Sequence, residues 1–307
     1  MAPESPPPFR RVSYELKAGR VAGLAWGDPT RPPDIVFLHA TGFNARSYTS
    51  LLAPLGERFH VLAVDLRGHG LTQLPSHTFG YGSWNRHRDD MIELVEGHIR
   101  APVTLAGHSM GATVALLLAG RRPDLARGVA MLDPVLMSPA MYGLAQLPGA
   151  PLWWAVSFPI ARGAARRRNS FATKADAIAA LTGRGVFKSF SAAQLADYVE
   201  DGFRETADGV RLSCTPAYEA RTFSAQRIDP WRALSRAPAP IVCLRADKRS
   251  TTPQAAADRL CDIRPDARVA IVDGATHMMP MERPDRARAA IETAALMANP
   301  GQYRDLV

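Results

Sequence analysis

The most constraining stretch of this sequence is Val103-Thr104-Leu105-Ala106-Gly107-His108-Ser109-Met110-Gly111, which runs directly into Ala112-Thr113-Val114-Ala115-Leu116-Leu117-Leu118. A short apolar run with β-branched ends reads as a buried strand, and the Ala/Leu run behind it reads as a helix. Between them lies Gly-x-Ser-x-Gly, whose glycines let the backbone turn sharply where side chains would collide. Such a turn lifts Ser109 above the end of a sheet and points a helix N-terminus at whatever the serine attacks. Bracketed by a strand and a helix, Ser109 reads as a nucleophile.

The rest of the chain alternates in the same way on both sides of this unit. Segments 11–16 and 21–26 read as a hairpin around Ala18-Gly19, and Ile35-Val36-Phe37-Leu38 and Val61-Leu62-Ala63-Val64 as continuous apolar strands. Runs of that kind belong in a parallel sheet covered on both faces. Helices are predicted over 46–56, 83–99, 254–261 and 284–297, and further strands over 128–132, 240–245 and 268–273. On the helix over 83–99, Trp84, Met91, Leu94, Val95 and Ile99 mark an apolar face, and Arg86, His87, Arg88 and Asp89 a solvent face. Between about 135 and 228 the alternation stops. Helical segments are predicted near 140–147, 151–164, 173–182 and 191–204, with aromatic residues scattered among them, and the arginine run from Arg162 through Arg166-Arg167-Arg168 reads as a solvated helix face or cap.

Four short motifs carry a family likeness. Gly107-His108-Ser109-Met110-Gly111 resembles the nucleophile elbow of the α/β-hydrolase family. His39-Ala40-Thr41-Gly42-Phe43, Asp65-Leu66-Arg67-Gly68-His69-Gly70 and Gly274-Ala275-Thr276-His277 are similar to that family at the corresponding places. The likeness covers about residues 20–135 and 230–298. It implies a mostly parallel eight-stranded sheet flanked by helices, with a helical cap inserted after the sixth strand. Residues 1–134 and 229–307 would then form the core domain and 135–228 the cap, whose aromatics are mostly its own core, a few lining a pocket.

A serine hydroxyl is a poor nucleophile at neutral pH and needs a base within hydrogen-bond reach. His277, on a small-residue loop after the last strand, fits that role, and the chain order Ser, acid, His is the one this fold uses. The resemblance implies two oxyanion donors, the backbone N–H groups of Thr41 and of Met110. Ala40 replaces the glycine usual beside Thr41. His39 is read as bracing its loop, and the 65–70 turn as structural.

The acid is the departure from the common pattern. Where the family usually carries an aspartate, the loop after the strand at 240–245 reads Ala246-Asp247-Lys248-Arg249-Ser250, with Arg249 at the expected place. Some branches put the acid one strand earlier. Asp133 stands there, 24 residues after Ser109 and at the end of a buried apolar strand. Asp133 is therefore favoured, with Asp247 as its competitor.

The function these residues point to is a serine hydrolase cleaving a carboxylic ester, a lactone being the cyclic case, of a small and largely apolar substrate through an acyl-enzyme. No metal or organic cofactor is expected. The same three groups also serve carbon–carbon bond hydrolysis and perhydrolysis, and a ligand-binding protein on the same scaffold is the reading from another class. Serine at 109 argues against the dehalogenase and epoxide hydrolase branches, which need a carboxylate nucleophile. A net charge of +8 invites a nucleic-acid reading, but the arginines are dispersed and no nucleic-acid motif accompanies them. No apolar run reaches the roughly eighteen residues of a membrane span. Three scattered cysteines and no visible secretory leader point to a reducing, cytoplasmic setting. The oligomeric state is not readable.

Overall fold

The computed structural model describes residues 9–238 and 240–298. The parts of the expected core at 1–8, 239 and 299–307, including the proline-rich start, lie outside the described residues. The main strands in chain order are β1 (Arg10–Leu16), β2 (Gly19–Trp26), β3 (Ile35–Leu38), β4 (Val61–Val64), β5 (Val103–His108) and β6 (Ala126–Leu132). Three short strands follow, β7 (Ser170–Phe171), β8 (Phe203–Thr206) and β9 (Gly209–Leu212), and then β10 (Ile241–Lys248) and β11 (Arg268–Thr276).

The eight-stranded sheet has the order β1-β2-β4-β3-β5-β6-β10-β11. Only β1–β2 and β2–β4 pair antiparallel; the remaining neighbours are parallel. Every residue of β3, β4 and β5 is buried, as continuous apolar strands in a covered sheet must be. Alternate residues serve opposite faces: Val36 and Leu38 join one apolar cluster, Ile35 and Phe37 the other. The helix Met110–Arg121 packs on β5 and β6 and against the helices Asn85–Leu94 and Pro230–Arg236, which explains why it is buried from Met110 through Gly120.

This arrangement brings the C-terminal ends of β3, β5, β6 and β11 to one edge. Thr41, Ser109, Asp133 and His277 each follow one of those ends by one to three residues. In open parallel sheets this edge is where ligands bind.

The segment between β6 and β10 contains the helices Pro139–Ala145, Ala150–Ser157, Pro159–Ala165, Lys174–Leu181, Ala192–Gly202 and Pro216–Ser224. It differs from the sequence expectation in two respects. The single helix expected over 151–164 is split, because Pro159 lacks the N–H needed to continue a helix and begins a new one. The helix expected to reach 204 stops at Gly202, and β7, β9 and β8 form a small antiparallel sheet. Its β8–β9 hairpin turns at Ala207-Asp208-Gly209, with Gly209 at φ +117°. Among the described residues none of this segment joins the eight-stranded sheet, and no helix is long and apolar enough to cross a membrane.

Candidate active site

At the end of β5 the chain turns within one residue. Ser109 has φ 54° and ψ −119°, its N–H donates to the Leu132 carbonyl at 2.9 Å, and Met110 already begins the helix. A side-chain residue held at such angles costs about 1–3 kcal/mol, which the surrounding packing must sustain. The flanking glycines are dictated by contact. A Cβ on Gly111 would lie 2.0 Å from the Leu38 carbonyl oxygen, and one on Gly107 2.5 Å from the Gly111 carbonyl carbon.

His277 follows β11, and its Nδ1 lies 2.6 Å from Asp133 Oδ2. Asp133 is fully buried, with φ 45°. Its Oδ1 accepts from the Ala246 N–H at 2.9 Å and from the Ser250 hydroxyl at 2.5 Å, and its Oδ2 also accepts from the Thr251 N–H at 3.0 Å. Burial opposes the charge, yet the His277 hydrogen bond and charge, with Ser250 and Ala246, hold the carboxyl below its ordinary range. With every partner a donor, Asp133 is a carboxylate and His277 carries its proton on Nδ1. Asp247 is exposed, and its carboxylate accepts from the Gly274 N–H at 3.1 Å. Of the two aspartates, only Asp133 is bonded to His277.

Thr41 lies in the loop after β3, and its hydroxyl donates to the Met110 sulfur at 3.3 Å. The Met110 N–H, at the first helical position, has no carbonyl within its helix to bond. Ala40 is not among the residues with positive φ, so its Cβ is accommodated where the family more often has glycine. His39 accepts the Leu66 N–H at Nε2 (2.9 Å) and donates from Nδ1 to the Ala40 carbonyl (2.8 Å), a loop brace buried away from solvent. Asp65 accepts the Ala45 and Leu71 N–H groups at 2.8 Å each, and Arg67 forms a buried pair with Asp90, so the 65–70 turn braces the neighbouring loops.

A second buried chain was not foreseen from the sequence. The Ala40 N–H donates to the Tyr48 hydroxyl (3.2 Å), and Tyr48 sits 2.8 Å from His108 Nδ1. His108 Nε2 is 2.8 Å from the His277 carbonyl oxygen. That oxygen only accepts, so Nε2 holds the His108 proton and Nδ1 accepts from Tyr48. Burial, with the neighbouring His277, pushes His108 well down and keeps it neutral. The loop before Thr41, the residue before Ser109 and the backbone of His277 are thus tied together.

Ser109, Thr41 and His277 open on one cavity of about 500 Å³. Ile160, Leu181, Val186, Phe187 and Phe223 give it an apolar wall, and Arg167, Arg184 and Glu219 are its charged members. Arg166 caps the helix Pro159–Ala165, as the reading of that run as a solvated face or cap allows, but Arg167 departs from it. Its guanidinium turns inward to Glu219 (3.1 Å) and the Tyr198 hydroxyl, leaving the side chain 20% exposed. His87 likewise leaves the expected solvent face and is buried against Tyr81, whose hydroxyl lies 2.7 Å from its Nε2. Among the described residues no group of three or more His, Cys, Asp or Glu side chains is placed to hold a metal ion.

The sequence pattern described as "Alpha/beta hydrolase family" matches residues 35–290, from β3 to the last helix. The chain belongs to the alpha/beta hydrolase family. The 2-(acetamidomethylene)succinate hydrolase of Mesorhizobium japonicum is 28% identical over 282 residues, which span 91% of this chain and 94% of that protein. The crystal structure of E-2-(acetamidomethylene)succinate hydrolase superposes with a TM-score of 0.75 at 25% identity, covering 93% of this chain and 98% of the other. The enol-lactonase of Burkholderia xenovorans shares the fold at a TM-score of 0.64 and 18% identity, over 92% of this α/β hydrolase and 98% of its own chain.

Proposed function

We propose that this α/β hydrolase cleaves a carboxylic ester of a small substrate, a lactone being the cyclic case, through an acyl-enzyme on Ser109. The observation that carries the reading is the 2.6 Å contact of Asp133 with His277 Nδ1 beside a cavity shared by His277 and Ser109. With its proton fixed on Nδ1, His277 offers a lone pair at Nε2 to take the Ser109 proton as the hydroxyl attacks the carbonyl carbon. The N–H groups of Thr41 and Met110 receive the developing oxyanion. His277 then returns the proton to the leaving alcohol, and a water activated by the same nitrogen releases the acid. Residues 135–228 act as a cap over this site, with 1–134 and 229–307 as the core domain. The wall supplied by Ile160, Leu181, Val186, Phe187 and Phe223 supports that division, since all five come from the segment between β6 and β10. The free cysteines Cys214, Cys243 and Cys261 fit residence in a reducing cytoplasm.

The relative from Mesorhizobium japonicum is named for an acetamido-substituted succinate. That favours a second reading, in which the bond cleaved is an amide and the substrate bears carboxylate. The same nucleophile and base serve both.

The test is turnover of p-nitrophenyl esters of graded chain length beside lactones and anilides, with fluorophosphonate labelling of the serine. Ser109→Ala is expected to lose labelling and on the order of 10⁴–10⁶ in kcat while keeping the fold, because alanine removes only the hydroxyl. Ester turnover by this variant within tenfold of the natural protein would overturn the assignment.

A further inference from the structure

The charged lining of the active-site cavity does not balance. Three charged side chains face it, Arg167, Arg184 and Glu219, against a wall that is otherwise mostly apolar. Arg167 and Glu219 neutralise each other. One guanidinium nitrogen of Arg167 donates to both Glu219 oxygens, at 3.1 and 3.3 Å, and another donates to the Tyr198 hydroxyl. The Arg167 guanidinium also lies over the Phe187 ring, 5.8 Å from its centroid, so its position is set on several sides. Glu219 is equally committed: it is buried, and it sits where a Cβ on Gly42 would come within 2.5 Å of it.

Arg184 differs. It stands between Gly183 (φ +68°) and Gly185 (φ +53°), on the connection that leads into Phe187. Among the described residues no carboxylate, carbonyl or ring is bonded to its guanidinium, although it borders the same cavity as Ser109 and His277. Arginine is always protonated in proteins. Arg184, itself exposed, therefore sets one uncompensated positive charge at the rim of the cavity.

We infer that the substrate is a monoanion whose single carboxylate is received by Arg184, with the scissile carbonyl at Ser109 and an apolar linker between. The inference rests on the hydrolase reading and narrows its substrate class. A second carboxylate would meet Arg167 only by displacing Glu219, or would stand beside the Glu219 charge with no free partner. Desolvating an unpaired charge in an apolar cavity is costly, so a dianion is disfavoured. A neutral ester fills the apolar wall and leaves Arg184 to water.

Binding separates this from the chemistry. Ser109→Ala protein is titrated calorimetrically, at pH 7.5 and fixed ionic strength, with dimethyl glutarate, monomethyl glutarate and glutarate. These share one carbon chain and carry zero, one and two charges. Monomethyl glutarate is expected to bind about tenfold more tightly than dimethyl glutarate, the lower end for a hydrogen bond to a charged group because Arg184 is exposed. Adding Arg184→Gln should remove most of that ratio. Adding Glu219→Gln instead frees Arg167 and should move the preference towards glutarate; if that buried substitution does not fold, the exposed Arg184 substitution decides alone. Equal or tighter binding of the diester, tightest binding of glutarate, no detectable binding of monomethyl glutarate, or a preference that survives Arg184→Gln would each overturn the inference. Wild-type cleavage of dimethyl glutarate without any charge preference would overturn it and leave ester hydrolysis standing. Charge-selective binding through Arg184 in a protein that fails to cleave or label would overturn the hydrolytic reading instead.

Discussion

Replacing Asp133 by asparagine tests the electrostatics of the site most directly, because all its partners are donors. The Ala246 N–H and the Ser250 hydroxyl meet Oδ1; the Thr251 N–H and His277 Nδ1 meet Oδ2. An amide has one oxygen, so its NH₂ must face one of these pairs. Each pair contains a backbone N–H that cannot rotate away, and one adjustable partner. Facing Oδ1's pair sets the NH₂ against the fully buried Ala246; facing the other sets it against Thr251, which is only partly buried. The second costs less. There the NH₂ donates to His277 Nδ1, the imidazole proton moves to Nε2, and the nitrogen offered to Ser109 no longer accepts. Asp133→Asn is therefore expected to lower kcat by about 10⁴, the size of a tautomer defect. It should also cost about 1–3 kcal/mol of stability for the opposed N–H. Steady-state hydrolysis of p-nitrophenyl butyrate, beside urea unfolding at the same pH, separates the two effects. Asp247→Asn is the control: an exposed side chain holding one N–H should change stability by less than about 0.5 kcal/mol and kcat by less than twofold. An Asp133→Asn enzyme that retains a tenth of its rate, or a rate lost in Asp247→Asn, would refute the reasoning.

Gly42→Ala should be damaging beyond its size, because φ is +78° and the new Cβ would stand 2.5 Å from a Glu219 oxygen anchored by Arg167; a loss of about 2–3 kcal/mol in urea unfolding is expected, and a neutral result would show that Glu219 moves freely. Tyr48→Phe leaves the Ala40 N–H and His108 Nδ1 unpaired, so a stability loss of about 1–3 kcal/mol should accompany a fall in kcat; full stability would mean that water replaces the hydroxyl. His69 is pushed down to about 4 by burial, so the folded state binds fewer protons than the unfolded chain below its ordinary value of 6.5. Its contribution is present above pH 6.5 and is lost as pH falls towards 4, at up to about 1.4 kcal/mol per pH unit. His69→Gln, whatever its absolute stability, should flatten the dependence of urea-unfolding free energy on pH in that window, and an unchanged slope would contradict the shift.

The centre of the main sheet could be read in the sequence because β3, β4 and β5 are short, apolar and buried on both faces, which separates them from the helices between. The same feature made the sheet edge readable. Ser109, Asp133 and His277 each follow a strand end directly, and a parallel sheet collects such ends without further information. What the sequence did not disclose depends on partners far along the chain. Ser250 and Thr251, which hold Asp133, come from a polar loop 117 and 118 residues away and carry no local pattern. The β8–β9 hairpin escapes a reading of the sequence because its strands are four residues each, too short for alternation to stand out from the helix before them.

Arg167 and His87 show why local patterning fails at buried polar positions. On sequence both sit in charged runs, where a solvated face is the cheapest arrangement. Arg167 turns inward because Glu219, 52 residues later, and Tyr198, 31 residues later, supply the hydrogen bonds that solvent would otherwise provide. A buried ion pair of this kind contributes little net stability compared with apolar residues of the same volume. Its presence in the wall of the cavity therefore asks for a reason other than folding. By occupying Arg167, Glu219 removes one of two cations from the cavity and leaves Arg184 alone to meet a charged substrate. Stability and selectivity should then separate in one variant: replacing Arg167 and Glu219 together by methionine and leucine should leave the urea midpoint the same or higher. Because both charges leave together, the uncompensated charge at Arg184 persists, and so should the preference for a monoanion over the neutral diester. A double variant that loses that preference would place its origin in the buried pair, not in Arg184.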